Sequence, residues 1–349
     1  MFTLCVRIYM SLCVVRCMIL VVRGVAKISK RGSTVVVSTP RKDDRGNTVW
    51  ETQTIPLLDL ELLAVVGSRV RISSGVLVML SEASVPIVVH SRRSDSILVN
   101  PFDVRVAEVR RRLYSISENP VWSVSVAIRF IEGKLYGLIN VLRYLTYKEV
   151  EKGKDVKWVL SELDEIEKLM KDEVGSVKNV DALRLYEAKW SKRFWELISM
   201  FIPSDYNFTG RDPRSRDPVN SAISYSYAII YGLCTHALIA AGLDPYVGII
   251  HSERAGKTSL VYDFSEMFKP IAVHATVIAS RVASLNIDKN GYLTTNSLEV
   301  VTKHLYRLLK RKHWKWKYSA RGEIYAKAWE LKQNIEKGTK FEPFIYAIK

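Results

Sequence analysis

The chain has 349 residues, of which 48% are hydrophobic, so it is long enough to bury the cores of two domains. Its 52 lysines and arginines outnumber its 36 aspartates and glutamates, and the net charge of +16 predicts salt-sensitive attraction to a polyanion such as DNA, RNA or an anionic lipid surface. Three of the four cysteines lie in the first 17 residues, so the body of the chain has neither a disulfide framework nor a thiolate zinc site, which is typical of a cytoplasmic protein.

The first 17 residues, MFTLCVRIYMSLCVVRC, are apolar but are interrupted by Arg7 and Arg16. They lack the basic start and the small-residue cleavage site of a signal peptide, and the apolar stretch falls short of a clean span of about 20 residues. We therefore expect no membrane anchor in this segment.

Short β-branched runs, separated by Gly, Asp, Asn, Ser or Pro turns, then continue to about residue 101 and predict a strand-rich domain. The predicted strands are Ile19–Val25, Thr34–Ser38, Val49–Ile55, Arg69–Ile72, Ile87–His90 and Ile97–Val99, with one helix near Ser74–Ala83. Beyond this point the apolar spacing becomes helical. The predicted helices are Val104–Arg112, Val124–Leu145, Val156–Met170, Val180–Met200, Ser221–Ala241 and Leu298–Leu309. We therefore predict an α+β protein, with a small β-rich domain at residues 18–101 followed by a larger all-α domain at residues 102–349.

The helix predicted at Val180–Met200 is strongly amphipathic. Its apolar residues recur every three or four positions, at Leu183, Tyr186, Trp190, Phe194 and Leu197. Glu187 lies at the edge of this stripe, where a partly desolvated carboxylate needs a partner or a metal. An ion pair with Arg184, one turn earlier, would satisfy it equally well.

An arginine-rich loop precedes the next helix, in the segment NFTGRDPRSRDPVNSAISYSYAIIYG. Arg211, Arg214 and Arg216 stand among glycine and proline and are suited to gripping phosphates, although solvated loop charges give the same pattern. Asp217 or Asn220 can cap the helix that follows.

The segment GIIHSERAGKTSLVYDFSEMFKP, residues 248–270, concentrates chemically useful side chains. The apolar run Pro245–Ile250, predicted to be a strand or a buried segment, ends at His251. A polar turn with Arg254 and Lys257 follows, and it can place cations beside an anionic ligand.

A helix capped by Thr258 or Ser259 then carries Asp263 and Glu266 on one face. Two carboxylates and an imidazole suit Mg²⁺ or Mn²⁺ acting on a phosphate, because carboxylates favour these hard ions and an imidazole shifts the preference toward Mn²⁺. From spacing alone, a capped helix with solvated acids fits the pattern equally well.

Near the C-terminus, residues 310–317 read KRKHWKWK, a basic run interleaved with Trp314 and Trp316. Aromatic rings among cations can stack on unpaired bases, and they can equally anchor a terminal helix against the core. We favour packing slightly for this run.

The order of the motifs YEAKW, NF·GR·PR··DPVNSAISY and GIIH··R·GK·SLVYDFSE·FKP resembles that of the CRISPR-associated spacer-acquisition integrases, the first-numbered and near-universal family of Cas proteins. The resemblance covers roughly Met18 to the C-terminus, so we interpret residues 1–17 as a non-native or disordered extension. It implies that Glu187, His251 and Glu266 hold the catalytic metal and that Asp263 is a further catalytic acid beside them.

The resemblance also implies a function in antiviral defence. The expected protein is a metal-dependent DNA integrase and endonuclease, which inserts short foreign DNA into a CRISPR repeat array by 3′-hydroxyl transesterification. Arg254 and Lys257 are candidates for holding the target phosphate, and Arg211 and Arg214 for tracking the backbone of double-stranded DNA. The implied assembly is a cytoplasmic homodimer, formed through the β-rich domain, with a small ferredoxin-like CRISPR-associated partner.

Two other classes of function also fit the sequence. The same site could serve a structure-specific nuclease that hydrolyses branched or nicked DNA. The chain could also be a non-catalytic DNA-binding scaffold, in which the acids form only caps and ion pairs.

Overall fold

The computed structural model describes residues 18–43, 45–66, 69–83, 85, 87–90, 95–98, 107–251, 257–289 and 291–348. The proposed extension at residues 1–17 and the predicted phosphate contact Arg254 lie outside these ranges. The chain forms two compact units, one up to Val104 and one from Arg105. The first is β-rich and the second is helical, which confirms the predicted α+β fold class.

The described residues of the first unit form two four-stranded sheets and one α-helix. Its elements are β1 (Met18–Arg23), β2 (Ala26–Arg31), β3 (Thr34–Lys42), β4 (Thr48–Pro56), β5 (Leu60–Val66), β6 (Val70–Ile72), α1 (Ser74–Glu82), β7 (Ile87–His90) and β8 (Asp95–Leu98). One sheet has the order β1-β5-β7-β8, in which only β7 and β8 pair antiparallel. The other has the order β4-β3-β2-β6, in which only β2 and β6 pair parallel.

Alternation of buried and exposed side chains builds the core of this unit. In β3, Val35 and Val37 are buried while their neighbours are partly exposed, as the period-2 geometry of a strand requires. Gly32 makes the tight turn between β2 and β3 with φ of +57°, a conformation that glycine adopts without strain. The strands β2 and β5 were not predicted, because AKISKR carries few apolar residues and LELLAVV is rich in leucine.

The second unit is a helical bundle. Its helices are α2 (Ala107–Ser117), α3 (Pro120–Val150), α4 (Trp158–Val174), α5 (Val180–Ser199), α6 (Pro218–Ala240), α7 (Ser259–Ser265), α8 (Lys269–Val282), α9 (Thr295–Lys310) and α10 (Ala320–Lys337). The longest, α3, begins at a cap in which the Asn119 side chain accepts bonds from the backbone N–H groups of Val121 and Trp122. Sixteen of its 31 residues are buried, so it forms the centre of this unit.

The last described residues complete the same core. Phe341, Phe344 and Tyr346 are buried, and the Phe344 ring stacks on that of Phe268 with 4.9 Å between centroids. The Asn140 side chain on α3 donates a 2.9 Å hydrogen bond to the Tyr346 carbonyl. The C-terminal segment is therefore a structural part of the helical unit.

In the part of the chain that the structure describes, α6 is the one helix long and apolar enough to cross a membrane. More than half of the relevant window is buried inside the protein, as is usual for a core helix.

Candidate active site

A buried lysine joins two of the predicted metal ligands. Lys134, on α3, donates a hydrogen bond to Glu187 on α5. The same ammonium lies 3.0 Å from Oε2 of Glu266, in the 3₁₀ turn that follows α7. Ser191 donates a 2.6 Å bond to Glu187, and Lys269 donates a 2.5 Å bond to Glu266 Oε1. The structure thus brings both carboxylates to one cation.

Two glycines allow these elements to approach so closely. A Cβ atom at Gly133 would lie 2.6 Å from both Met267 Cγ and the carbonyl oxygen of Phe344. One turn later, a Cβ at Gly137 would lie 2.7 Å from Pro270 Cγ. Because both glycines lie on one face of α3, they let this helix pack directly against the segment that carries Glu266.

The charges at this cluster support one another. Burial would lower the pKa of Lys134, but the attraction of Glu266 and Glu187 outweighs it and raises this pKa above its ordinary value. Burial would raise the pKa of Glu266, but Lys134 and Lys269 outweigh it and lower this pKa to about 2. Lys134 and Glu266 are therefore both charged at neutral pH.

Asp263 fixes the position of His251. Its buried carboxylate accepts bonds of 2.7 and 2.8 Å from the backbone N–H groups of Ile249 and Ile250, and it also contacts the His251 Nδ1 atom. A carboxylate on Nδ1 orients the imidazole and leaves Nε2 as the nitrogen available to a ligand. Asp263 and Glu266, although three residues apart, thus have different partners.

The segment before His251 is a tight turn. A Cβ at Gly248 would lie 2.0 Å from the His251 carbonyl oxygen, so the turn requires glycine there. Arg184 donates to the Ile250 carbonyl and forms an ion pair with Asp181, so it is not the partner of Glu187. The strand prediction for Pro245–Ile250 is wrong, because turn geometry replaces extended backbone there. The alternative prediction of a buried segment is confirmed at Val247, Ile249 and Ile250.

A row of aromatic rings connects the two parts of the site. The Lys269 ammonium lies 5.8 Å from the centroid of the Tyr231 ring, and that ring lies 4.9 Å from the Tyr262 ring. The Tyr262 ring in turn lies 6.3 Å from His251, with the Lys257 ammonium 5.4 Å from its centroid. An open cleft of about 540 Å³ adjoins His251 on the side lined by Arg184, Glu118 and Tyr114.

The donor set fits a hard divalent ion in its chemistry. Glu266 Oε2 is buried and accepts no hydrogen bond of good geometry, although it faces Lys134. A buried carboxylate oxygen in that state is suited to a cation. Within the described residues no group of three or more His, Cys, Asp or Glu is arranged to hold a metal. The described partners of the predicted ligands are instead Lys134 and Ser191 at Glu187, Lys134 and Lys269 at Glu266, and Asp263 at His251.

The predicted DNA contacts differ from one another. Arg211 folds onto α6, where it donates to the Asn220 side chain at 3.0 Å and to Ser224 at 2.9 Å. This arginine is mostly committed to holding its own loop, whereas Arg214 is exposed. Asp217, one of the two residues predicted to cap α6, is its N-cap.

Lys134 and Lys269 were not predicted as site residues from the sequence. Lys134 stands midway between Phe130 and Leu138 at i,i+4 spacing, and both of these neighbours are fully buried. A charged residue among the buried apolar positions of a helix needs a buried counter-charge. The spacing around Lys134 could therefore have indicated an acidic partner.

Solved structures share this fold. A chain of a casposase bound to its integration product aligns with a TM-score of 0.77 at 18% identity, covering 93% of this chain and 92% of that one. A chain of a Cas6-RT-Cas1–Cas2 complex aligns with a TM-score of 0.73 at 15% identity, covering 97% of this chain and 37% of that one. The fold is therefore that of the class containing casposases and CRISPR-associated Cas1 proteins.

Sequence comparison is more specific. The family model described as CRISPR associated protein Cas1 matches residues 19–311. The CRISPR-associated endonuclease Cas1 of Hyperthermus butylicus is 30% identical over 297 residues, covering 82% of this chain and 88% of that relative. The chain belongs to the Cas1 family, which confirms the resemblance drawn from the three motifs.

Proposed function

We propose that this chain is a metal-dependent DNA integrase and endonuclease of CRISPR adaptation, which joins the 3′-hydroxyl ends of short foreign DNA to a CRISPR repeat array. The observation that supports it most is the meeting of Glu187 and Glu266, carried by separate segments, at one buried cation in a Cas1-family chain. Glu187, His251 and Glu266 are the proposed metal ligands.

Each residue of the site has a defined task in this proposal. A Mg²⁺ or Mn²⁺ ion held by the three ligands would polarise the phosphodiester and lower the pKa of the attacking hydroxyl. Asp263 keeps the His251 ring in one orientation. Lys257, close to the Tyr262 ring, is the proposed contact for the target phosphate, together with Arg254.

The charge balance favours a phosphate-bearing ligand such as the DNA of this proposal. Lys134 and Lys269 already neutralise the charges of Glu187 and Glu266. A divalent cation would therefore leave the site with excess positive charge, and a DNA phosphate would compensate it. Binding of metal and of DNA should reinforce each other for this reason.

The test is a strand-transfer assay with labelled duplex fragments, whose 3′ ends are free or blocked, and a supercoiled plasmid carrying a CRISPR repeat. Wild type, Glu187→Gln and His251→Ala are compared in Mn²⁺, Mg²⁺ and chelator. Glu196→Gln, an exposed change on the same helix, is the matched control. We expect joining that requires both the metal and a free 3′ end, and that is lost in the first two variants only.

Two other outcomes of this assay would favour the nuclease or the scaffold over the integrase. Metal-dependent cleavage without joining, also in the presence of the partner subunit, would indicate the structure-specific nuclease. DNA binding with neither reaction, unchanged by Glu187→Gln, would indicate the scaffold.

The assembly belongs to the proposal too. We propose that the β-rich unit forms a homodimer contact and that a small ferredoxin-like CRISPR-associated subunit joins two such dimers in the cytoplasm. The solved complex named above contains a Cas2 component, which supports a partner of this kind. Sedimentation of the chain alone and with the small subunit measures both associations.

A further inference from the structure

The turn between α9 and α10 carries three tryptophan and tyrosine rings, one packed in the core and two exposed to solvent. The backbone closes it through an antiparallel bridge between Lys312 and Ser319. Trp316 anchors it from within, because this side chain is only 8% exposed and its ring stacks on Tyr346 at 5.8 Å. The indole N–H also donates to the Ile345 carbonyl at 3.3 Å.

The rings two residues to either side face the solvent. Trp314 is 76% exposed and Tyr318 is 44% exposed. Each lies beside the ammonium of the next or preceding lysine, with Lys315 at 5.2 Å from the Trp314 centroid and Lys317 at 5.3 Å from that of Tyr318. The packing interpretation of this run therefore holds for Trp316, whereas Trp314 is exposed, as stacking on a base would require.

The chain segment that carries these rings is strongly cationic, and the Glu323 carboxylate at its end accepts a 2.7 Å bond from the Tyr318 N–H. Between Glu299 and Glu323 the chain has eight lysines and arginines and no acidic residue. Lys312, Lys315 and Lys317 are all exposed. The match to the family model ends at residue 311, directly before the bridge that closes this turn.

We propose that this turn binds single-stranded DNA, with an unpaired base stacked on Trp314 and the neighbouring lysines on the phosphates. An exposed ring beside a cation suits a base, which has an open π-face, better than it suits an apolar protein or lipid surface. A duplex keeps its bases stacked on one another, so it can use the lysines but not the ring. The choice of DNA over RNA rests on the proposed function.

Fluorescence anisotropy tests the proposal with labelled oligo-dT and with a blunt duplex of equal length, both in chelator. Loss of a base stack of about 1–3 kcal/mol corresponds to a roughly 5- to 150-fold weaker Kd. We expect Trp314→Ala and Trp314→Leu to weaken oligo-dT binding in this range and to change duplex binding less than about twofold. Trp158→Ala, an exposed tryptophan at the start of α4, should change neither.

Equal affinity of wild type and both Trp314 variants for oligo-dT would overturn the proposal, and so would an equal loss for oligo-dT and duplex. Tighter binding of oligo-rU than oligo-dT, lost in the same variants, would overturn the assignment to DNA. Because binding is measured without metal, these outcomes are independent of whether the chain joins DNA strands.

Discussion

At the scale of single residues, the proposed chemistry depends on a cation that the protein supplies itself. Lys134 is the ion-pair partner of both Glu187 and Glu266, with only 11% of its side chain exposed. Two carboxylates so close together would repel each other without a positive charge, and burial would increase the cost. The lysine therefore holds the acidic pair together, and in the proposed function a metal ion would share this task.

Removing the Lys134 charge should make the stability of the protein depend on a bound metal ion. Breaking a buried ion pair on one side costs about 3–5 kcal/mol, so Lys134→Met should lower the free energy of unfolding by about that amount in chelator. Mn²⁺ should restore part of the loss, and Mn²⁺ affinity without DNA should rise. Urea unfolding with and without Mn²⁺ measures both effects.

Lys171→Met is the matched control, because Lys171 is exposed on α4 and pairs with Glu167 at the surface. It should change stability by less than about 1 kcal/mol. A Lys134→Met protein that is as stable as wild type in chelator would contradict the proposed role of the lysine.

Asp263 offers a second test at this scale. Asp263→Asn keeps the size of the side chain but removes the charge that orients the His251 ring. Loss of such a partner typically weakens metal affinity 10- to 100-fold. We expect a change of this size in Mn²⁺ affinity, measured by electron paramagnetic resonance, and none for Asp155→Asn at an exposed position. Unchanged affinity in Asp263→Asn would remove Asp263 from the site.

At the scale of elements, the site depends on how closely α3 packs against its neighbours. Gly133→Ala would place a methyl group against the Phe344 carbonyl, which is backbone and cannot rotate away. Such overpacking typically costs about 1–3 kcal/mol. We therefore expect a lower urea midpoint. The added methyl group would also displace Met267, so Mn²⁺ binding should weaken because Glu266 is the adjacent residue.

Gly232→Ala is the control for helix propensity. Gly232 also lies inside a helix, but a Cβ there would meet no atom within 4 Å. Alanine is favoured over glycine inside helices by up to about 1 kcal/mol, so this variant should be neutral or more stable. If Gly133→Ala stabilises the protein as Gly232→Ala does, this would contradict the close approach of Phe344 and Met267 to Gly133.

Helix α8 carries a histidine that makes stability depend on pH. His274 is buried against the C-terminal segment, where its Nδ1 lies 3.0 Å from the Tyr346 hydroxyl. Burial, reinforced by Arg311, Arg307 and Arg281, lowers the pKa of His274 from 6.5 to about 3. The folded protein thus binds this proton less readily than the unfolded chain does.

This difference makes the folded protein less stable as the pH falls. The contribution of His274 to stability is fully present above pH 6.5 and is lost as the pH falls toward 3, with a slope of up to about 1.4 kcal/mol per pH unit. His274→Gln should flatten the curve of unfolding free energy between pH 6.5 and 5. Glu266 does not interfere in this range, because its loss of stabilisation lies between pH 4.5 and about 2. Parallel curves for wild type and variant would refute the assignment.

The sequence predicted those elements whose pattern is strong and local. The amphipathic helix α5 and the cap of α6 by Asp217 follow from apolar spacing and from a residue type. Helix α10 was not predicted, because its few apolar residues alternate with charged and polar ones and form no clear stripe. The ligand set Glu187, His251 and Glu266 was implied by the family resemblance and stays a prediction. The partners Lys134 and Lys269 depend on which helices meet, and spacing along one segment cannot reveal that.

At the scale of the whole molecule, the two units have separate cores. The core of the first consists of residues between Leu20 and Ile87, all of them within that unit. We expect residues 107–349, expressed alone, to unfold cooperatively and to keep Mn²⁺ binding while losing dimer formation. Calorimetry and sedimentation measure these properties. A fragment without a cooperative transition would show that the units need each other to fold.

The C-terminal segment has a consequence for the order of events during synthesis. Phe344 and Tyr346 pack against Phe268, His274 and Trp316, residues made earlier in translation. The β-rich unit is complete long before then and can fold while the rest of the chain is still being made. The core of the helical unit is incomplete without this segment, so the proposed metal ligands reach their working geometry only after it has left the ribosome.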